Sequence, residues 1–357
     1  MRQGFSAESK RLAPKVSDLV TSIGLPMPEI RKDPITGRLI IFSAERAKRP
    51  QHVALDRNPG DRRSCPFCAG NEAMTPPEVF AYGADQNQIR PGWTVRVVPN
   101  KYPALVSDGS RSAFTDGIYE SMNGLGVHEV IIESPNHIEN MATLSENQIE
   151  QVLLAYRDRM LHLRRDKRWR YTLLYKNQGI EAGATLPHVH SQLIALPWMP
   201  KEVAEEMTGA RGYFESAGDC LYCEMIRREI RDRSRLVAEH ERYFVLCPYA
   251  SRFSYEAWIL PRKHLSSFDA SSTDDFPELS RVLRQTLIRL NRQLTNPPFN
   301  YTIHSSPLGE TANGFYHWHM EIMPKLTRVA GFELGSGSYI NPVAPEDAAR
   351  LLREVAV

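Results

Sequence analysis

The sequence has no apolar run of the roughly 20 residues that a membrane helix needs. It has no strong basic surplus either, since its formal net charge is only +2, and this argues against a dedicated nucleic-acid surface. The N-terminus, MRQGFSAESKRLAPK, has no apolar signal core. We therefore expect a cytoplasmic protein rather than an exported one. With 42% hydrophobic and 24% charged residues, the chain has the composition of a globular protein.

Cysteine is sparse but arranged in a pattern. Four of the five cysteines form two C-x-x-C pairs, Cys65 with Cys68 and Cys220 with Cys223, while Cys247 stands alone. In an intracellular chain that also carries histidines, such pairs bind zinc more often than they form disulfides. One pair would be weak evidence because redox motifs share the spacing, but two pairs with matching histidines are much stronger.

The same landmarks occur twice along the chain. Each cysteine pair is followed by a β-rich run, a histidine (His137 or His264), a helical stretch, a strand and an H-x-H motif. The helical stretches run from about 145 to 165 and from about 273 to 294. We predict an α+β fold with two tandem halves, residues 26–200 and 215–357, each an antiparallel sheet with a covering helix and its own metal site.

Two details of this fold follow from local patterns. In the first helical stretch, apolar residues recur at helical spacing and predict one buried face: Ile149, Val152, Leu153, Tyr156 and Met160. The stretch from 200 to 219 is polar and contains three glycines, so we interpret it as the connection between the halves.

Two thiolates and two imidazoles make a tetrahedral donor set that suits zinc. The predicted ligands of the first site are Cys65, Cys68, His137 and His188, and those of the second are Cys220, Cys223, His264 and His317. Analogy between the halves selects the first histidine of each H-x-H pair, although either His317 or His319 could bind the second metal. We expect two closed zinc sites per chain, with iron as the alternative at the second.

One histidine is left over beside the first site. In an extended strand His188, His190 and Gln192 share a face, so a metal on His188 would hold His190 on a rigid support. A neutral imidazole fixed in this way is a competent nucleophile toward phosphorus. The amide of Gln192 can donate to phosphate oxygens, and the small residues from Gly179 to Thr185 let backbone amides approach a phosphate. The competing interpretation is that His190 only packs in the sheet.

These motifs resemble the galactose-1-phosphate uridylyltransferase family, a branch of the histidine-triad superfamily. The resemblance spans nearly the whole chain, through DPITGRLIIFSAERAKRP, CPFCAGNE, PNKYPAL, ESPNH, KNQGIEAGATLPHVHSQ and AGFELGSGSYINP. It implies two histidine-triad-like halves and a double displacement, in which His190 takes a nucleotidyl group from a nucleotide sugar and passes it to a second phosphate-bearing acceptor. It also implies a homodimer, with both chains contributing near the sugar, and a role in galactose metabolism.

The resemblance assigns substrate contacts by position. Arg46 and Arg49 of the ERAKRP segment match phosphate-binding residues, and Asn100 and Tyr102 of PNKYPAL match residues of the nucleotide site. Asn177 and Thr185, which precede His188, match residues near the phosphates and the sugar. Phe332 and Glu333 of GFEL match residues at the hexose end. The competing interpretations are a basic surface turn for the arginines and an ordinary exposed acid for Glu333. His319 lies where the second half would carry a nucleophile, and we interpret it as a relic.

The sequence departs from the family pattern at two points. The usual H-P-H-G-Q signature is H-V-H-S-Q here, and Thr327 and Arg328 stand near the position of an expected lysine. The serine, the CLYC pair and the C-terminal segment are more similar to the ADP-glucose phosphorylase branch, which passes adenylyl to inorganic phosphate. UDP-hexose chemistry is our first interpretation and ADP-glucose phosphorolysis the second. A hydrolase that uses the same histidine is the third, and a zinc-stabilised nucleotide-binding module without turnover is the fourth.

Overall fold

The computed structural model describes residues 28–43, 62–83, 92–109, 112–310 and 313–357. The predicted phosphate-binding residues Arg46 and Arg49 lie outside these ranges. The strands are β1 (Glu29–Lys32), β2 (Leu39–Phe42), β3 (Phe80–Tyr82), β4 (Val95–Pro99), β5 (Ala113–Asp116), β6 (Tyr119–Met122), β7 (Val127–Ile132), β8 (Tyr171–Gln178), β9 (His190–Leu196), β10 (Leu236–Glu239), β11 (Tyr243–Leu246), β12 (Ala257–Pro261), β13 (Phe299–His304), β14 (His319–Pro324) and β15 (Tyr339–Asn341).

The helices are α1 (Glu146–Leu163), α2 (Lys201–Ala217), α3 (Leu221–Asp232), α4 (Phe276–Leu294), α5 (Gly331–Ser336) and α6 (Pro345–Glu354). Within the described ranges, none of them combines the length and the apolar character needed to cross a membrane.

Ten strands form one continuous antiparallel sheet in the order β10-β11-β12-β14-β13-β8-β9-β7-β4-β3. The first half supplies β3, β4, β7, β9 and β8, and the second supplies their counterparts in mirrored order. The halves meet where β8 pairs with β13 and Tyr175 lies opposite Thr302. The antiparallel sheet predicted for each half is therefore confirmed, and edge-to-edge pairing satisfies backbone groups that two separate sheets would leave open.

Alternate side chains of strand β9 point to opposite faces of the sheet, which have different surroundings. Leu193 and Ala195 are fully buried in the core beneath the helices. His190 and Gln192 are offset by one residue and so lie on the opposite face of the sheet. We call this second face the site face.

Helix α1 confirms the predicted amphipathic helix. Ser145 caps its N-terminus, its side chain accepting a hydrogen bond from the backbone N–H of Gln148. All five residues of the predicted apolar face are buried: Ile149, Val152, Leu153, Tyr156 and Met160. Helix α4 buries its own apolar face beside α1, and both helices share one core with both halves of the sheet. Each large apolar side chain buried there stabilises the fold by about 1.5–3 kcal/mol.

Helix α2 replaces the polar connection that we expected between the halves. The polar residues and three glycines of this stretch favoured a simple connection, but Val203, Met207 and Ala210 recur at helical spacing and are buried. Gly209 permits close packing, because a Cβ atom there would lie 1.7 Å from the carbonyl oxygen of Ile35. The connection is therefore a packed element with a structural role.

Helices α2 and α3 cover the site face of the second half. Trp258 and Leu260 of β12 pack against them, whereas Ala257 and Ile259 of the same strand face the core under α4. In the described residues of the first half, no helix packs over the corresponding part of the site face. Among the described residues, the two halves thus share a fold but differ in whether helices pack over their site faces.

Candidate active site and metal centres

The first C-x-x-C pair meets two histidines at the site face of the first half. His137 follows β7 and His188 precedes β9, so the sheet positions both. The Nδ1 atom of His137 lies 3.3 Å from the sulfur of Cys68, and that of His188 lies 3.5 Å from the sulfur of Cys65. The four ligand atoms all lie within 4.8 Å of one another. The structure brings together every residue predicted for the first metal site.

These distances fit a tetrahedral zinc ion. Zinc–sulfur bonds of about 2.3 Å and zinc–nitrogen bonds of about 2.0–2.1 Å place sulfur and nitrogen about 3.5 Å apart. Burial and the neighbouring Cys65 raise the pKa of the Cys68 thiol to about 11. Two adjacent thiolates at this position therefore need a cation between them, which zinc would supply.

A backbone carbonyl orients His188 in this cluster. The Nε2 atom of His188 lies 2.8 Å from the carbonyl oxygen of Ser134, so Nε2 carries the proton and donates it. The Nδ1 lone pair then faces the two sulfurs, as a metal ligand requires. Burial also lowers the pKa of His188 to about 4, which favours the neutral ring that binds metals.

The second cluster repeats this arrangement. Cys220 caps helix α3 and Cys223 lies in its first turn, with the Cys223 sulfur 3.4 Å from Nδ1 of His264 and 3.6 Å from Nδ1 of His317. The Nε2 atom of His317 lies 3.0 Å from the carbonyl oxygen of Pro261. The structure groups His317, and not His319, with the cysteine pair.

His190 begins β9 and is tethered to the residue two positions before it. Its Nδ1 lies 2.7 Å from the carbonyl oxygen of His188. A carbonyl oxygen only accepts, so Nδ1 carries the proton and Nε2 keeps its lone pair. Burial lowers the pKa of His190 and favours the neutral ring. The ring of Phe67, which the sequence did not single out, contacts the imidazole edge-on with 5.2 Å between centroids.

Gln192 lies on the same face, one pleat further along β9. Tyr175 on the neighbouring strand β8 is its cross-strand partner, and the Tyr175 hydroxyl donates to Oε1 of Gln192 at 2.9 Å. A side-chain amide beside a neutral imidazole can donate to a phosphate as that imidazole attacks.

A buried polar network supports this strand from the helix side. Lys176 donates to the backbone carbonyl of His190 at 2.9 Å and forms an ion pair with Glu133 at 2.5 Å. The hydroxyl of Tyr156 lies 2.9 Å from the same Glu133 and 2.7 Å from the hydroxyl of Ser191. Sequence reasoning missed Lys176 and Glu133, although a lysine inside the strand YTLLYKNQ is an unusual residue for a buried position.

Asn177 and Thr185, which the sequence also predicted, lie on or near the site face. Asn177 continues the row of Tyr175, and the side-chain amide of Asn300 donates to its Oδ1 at 2.8 Å and to the carbonyl of Ala182 at 2.7 Å. Asn300 comes from the second half and was also missed. Thr185 is exposed at the end of this loop.

Asn100 and Tyr102 lie in the segment that follows β4. The backbone N–H of Asn100 donates to the carbonyl oxygen of His128, and the Oδ1 of Asn100 accepts from the N–H of Tyr102. The Tyr102 side chain is largely exposed. Phe332 and Glu333 lie on helix α5, where the Glu333 carboxylate caps the N–H of Ala330, and no described contact joins them to His190.

The counterpart of His190 in the second half is enclosed. His319 is fully buried, and its ring stacks on Trp258 at 4.8 Å and on His304 at 4.9 Å between centroids. Its Nε2 is buried without a hydrogen-bond partner. Helices α2 and α3 remove the access that a nucleophile needs.

A third cluster, which the sequence interpretation missed, surrounds this ring. Glu206 of α2 lies 2.9 Å from Nδ1 of His304 and accepts from the hydroxyl of Tyr316 at 2.7 Å. Glu206, His304 and His319 each offer one atom that could bind a metal ion, and these three atoms lie within 4.8 Å of one another. The helical spacing of α2 was the signal that would have located Glu206 against the sheet.

A cavity of about 630 Å³ opens at the end of β7, where its walls include Asn100 and His128 together with Glu129 and Arg159 from the helix side of the sheet. Its other walls come from residues 105–108, the C-terminal end of α1 and residues 165–169. Its size is typical of small-molecule sites, and His190 is not among the residues that line it.

Comparisons with known proteins agree with this geometry. The N-terminal and C-terminal domain models of galactose-1-phosphate uridyl transferase match residues 23–200 and 206–356. The chain is 38% identical to an ADP-glucose phosphorylase of Arabidopsis thaliana, over 92% of this chain and 93% of that protein. It is 29% identical to a galactose-1-phosphate uridylyltransferase of Thermotoga maritima, over 93% of this chain and 99% of that protein.

A solved structure supports the same assignment. The crystal structure of an ADP-glucose phosphorylase from Arabidopsis thaliana with bound ADP-glucose superposes with a TM-score of 0.80 at 36% sequence identity. The superposition covers 93% of this chain and 100% of that chain. The chain therefore belongs to the galactose-1-phosphate uridyl transferase family, whose members are nucleotidyltransferase enzymes.

Proposed function

We propose that His190 is the nucleophile of a nucleotidyltransferase that acts on nucleoside-diphosphate hexoses. The observation that carries this proposal is the tether from Nδ1 of His190 to the carbonyl of His188. It leaves the Nε2 lone pair on a sheet face that no described helix covers, whereas the matching ring in the second half is fully buried.

The reaction proceeds in two displacements. Nε2 of His190 attacks the α-phosphorus, the bond from that phosphorus to the bridging oxygen breaks, and hexose 1-phosphate leaves. The carbonyl of His188 stabilises the positive charge that develops on the ring, because it accepts from Nδ1. An oxygen of the acceptor then attacks the same phosphorus, the phosphorus–nitrogen bond breaks, and His190 is regenerated.

Other predicted residues bind substrate in this proposal. Gln192 donates to the α-phosphate, and Asn177 and Thr185 contact the phosphates and the sugar. Asn100 and Tyr102 line the nucleoside end. Arg46 and Arg49 bind phosphate through bidentate guanidinium contacts.

Two donor and acceptor pairs fit this chemistry. One passes adenylyl from ADP-glucose to inorganic phosphate, and the other passes uridylyl from UDP-glucose to galactose 1-phosphate. The first is favoured because the chain is more similar to the ADP-glucose phosphorylase, at 38%, than to the uridylyltransferase, at 29%. Initial rates with each donor paired with each acceptor distinguish them.

Covalent labelling tests the mechanism itself. Incubation with α-labelled ADP-glucose or UDP-glucose without acceptor should leave label on the protein, stable to base and labile to acid. His190→Gln should remove the label, while His319→Gln, the symmetry-related control, should retain it. A binding module without turnover would hold no label after denaturation, and a hydrolase would release nucleoside monophosphate.

The two Cys2His2 clusters would each hold one zinc ion with a structural role, since the protein supplies four ligands at each. At the first cluster, a bound ion would fix His188 and so the carbonyl that orients His190. The ion itself takes no part in the two displacements.

We also propose a homodimer in which helix α5 of each chain completes the sugar site of its partner. Phe332 is partly exposed on α5 and, among the described contacts, none links it to its own His190. Mixing and refolding of His190→Gln and Glu333→Ala proteins should restore activity in heterodimers, about a quarter of the wild-type value if chains pair at random. No recovery in a protein shown by light scattering to be dimeric would refute the shared site.

A further inference from the structure

The side-chain amide of Gln192 has an oxygen that accepts hydrogen bonds and an NH2 group that donates them. Neighbouring residues determine which way each of these two groups points. The Nε2 atom of His128 lies 2.8 Å from Oε1 of Gln192. His128 is on β7, the strand that pairs with β9, and Val130 rather than His128 is the direct cross-strand neighbour of Gln192. The imidazole therefore reaches diagonally across the site face to meet the amide.

A backbone donor fixes the protonation of His128. The N–H of Ala104 donates to Nδ1 of His128 at 3.1 Å. A backbone N–H can only donate, so Nδ1 must keep its lone pair, and the ring proton must lie on Nε2. His128 consequently presents a donor to Gln192, and a donor selects the oxygen end of the amide.

Tyr175 makes the same selection from the other side. Its hydroxyl donates to the same Oε1 at 2.9 Å, so the amide oxygen accepts two hydrogen bonds. The amide NH2 group makes no hydrogen bond to any described residue and lies on the face that His190 shares. Both of its N–H groups are thus available to a phosphate. An amide turned the other way would set its NH2 group against the His128 donor.

His128 also connects this amide to the nucleoside side of the site. Its carbonyl oxygen accepts from the N–H of Asn100 at 2.8 Å, and its Nδ1 accepts from the N–H of Ala104. The side-chain NH2 group of Asn100 lies 3.1 Å from Nε2, but both groups are donors, so this contact is not a hydrogen bond and leaves the Nε2 proton to Gln192. The segment that carries Asn100 and Tyr102 is therefore bonded to His128 at two points. A shift of this segment would change the position of the imidazole and with it the orientation of Gln192.

We propose that His128 is a positioning residue that fixes the amide of Gln192 with its NH2 group toward the α-phosphate. The proposal rests on the proposed function, because Gln192 matters here as the phosphate donor. It goes further by assigning a role to a histidine that is neither a metal ligand nor a nucleophile.

A double-mutant cycle tests this role. His128→Phe keeps an aromatic ring but removes both nitrogens, His128→Gln supplies a donor again, and Gln192→Ala removes the group that His128 is proposed to orient. The rate of single-turnover labelling of His190 by α-labelled ADP-glucose or UDP-glucose, whichever labels the wild type, is measured for each protein. The dissociation constant of the matching nucleoside diphosphate, ADP or UDP, is measured beside it.

His128→Phe should slow labelling by about 10- to 100-fold while the dissociation constant changes by less than about threefold. In the Gln192→Ala background the same substitution should change the rate by less than about twofold, because the group it orients is gone. His128→Gln should recover most of the lost rate. A merely structural role would give equal losses in both backgrounds.

Two results would overturn the inference, and they differ from failure of the function. Equal fold-losses with and without Gln192, or an unchanged rate in His128→Phe, would overturn it while wild-type labelling upholds the nucleophile. A wild-type protein that takes no label from either donor would instead overturn the proposed function, and this inference with it.

Discussion

Lys176 of β8 and Glu133, which follows β7, form an ion pair on the opposite face of the sheet from the imidazole of His190. Both side chains are almost fully buried, and Nζ to Oε2 measures 2.5 Å. Burial lowers the pKa of Lys176, and the carboxylate of Glu133 opposes that shift. Lys176 also donates to the backbone carbonyl of His190, so a charged group in the core is connected to the backbone of the proposed nucleophile.

Breaking this pair should be costly. Lys176→Met leaves Glu133 buried without its cation and should lower the free energy of unfolding by about 3–5 kcal/mol, measured by urea denaturation at pH 7. Lys176→Met combined with Glu133→Leu should recover most of that loss, because no buried charge is left unpaired. Arg228→Ala, which removes an exposed ion pair with Glu224, is the matched control and should cost less than about 1 kcal/mol. Similar losses of unfolding free energy for Lys176→Met and Arg228→Ala would contradict the conclusion that Lys176 and Glu133 form a buried ion pair.

Metal analysis should find about two zinc ions per chain, one for each Cys2His2 cluster. Cys65→Ser and Cys220→Ser should each lower the content to about one ion, and chelation should lower the melting temperature because closed sites hold elements together. Cys247→Ala, at a buried cysteine outside both clusters, should keep both ions. Iron at the second cluster, or a single ion in the wild type, would refute the symmetric assignment.

The repeat of motifs predicted the two metal clusters and the doubled architecture because ligand spacing and strand alternation are local signals. The pair Cys65 and Cys68 is far in sequence from His137 and His188, yet the order of these ligands matched that of the second set, and the structure groups each set. The buried face of α1 was predicted for a similar reason, since helical periodicity is visible within one stretch.

The sequence did not reveal how the halves interact. The pairing of β8 with β13 depends on residues more than a hundred positions apart, and no local pattern specifies it. The polar character of residues 200–219 concealed helix α2, whose Glu206 enters a cluster with His304. Whether a helix packs over a site face is a tertiary property, and within the described residues it distinguishes His319, which lies beneath helices, from His190.

The Glu206–His304 pair predicts how stability depends on pH. Burial works in the other direction, but the carboxylates of Glu206 and Glu321 raise the pKa of His304 to about 9, while Arg252 opposes them and His319 stacks alongside. Because the folded pKa exceeds the unfolded value of about 6.5, the stabilisation is complete below pH 6.5. It is lost as the pH rises through about 9.

His304→Gln should therefore be less stable than the wild type by up to about 3 kcal/mol more at pH 6 than at pH 10. Urea denaturation of both proteins across this range measures the difference, and other titrating groups cancel because they are common to the two. A difference in stability that stays constant with pH would show that the ring is uncharged in the fold.

The loop between β8 and His188 depends on two glycines with different surroundings. Gly179 and Gly183 both have positive φ values, 88° and 90°, but their ψ values are 152° and 13°. The left-handed conformation of Gly183 costs another residue about 1–2 kcal/mol, whereas the conformation of Gly179 is adopted almost only by glycine. A Cβ atom on Gly179 would also lie 2.7 Å from Cβ of Pro298, whereas one on Gly183 meets nothing nearer than 3.6 Å.

Gly179→Ala should therefore destabilise the protein by at least about 1 kcal/mol more than Gly183→Ala. It should also slow labelling of His190, because moving the loop away from β13 displaces Asn177 and Thr185. Equal effects of the two substitutions, measured by thermal unfolding and by labelling rate, would show that the contact with Pro298 does not hold the loop in place.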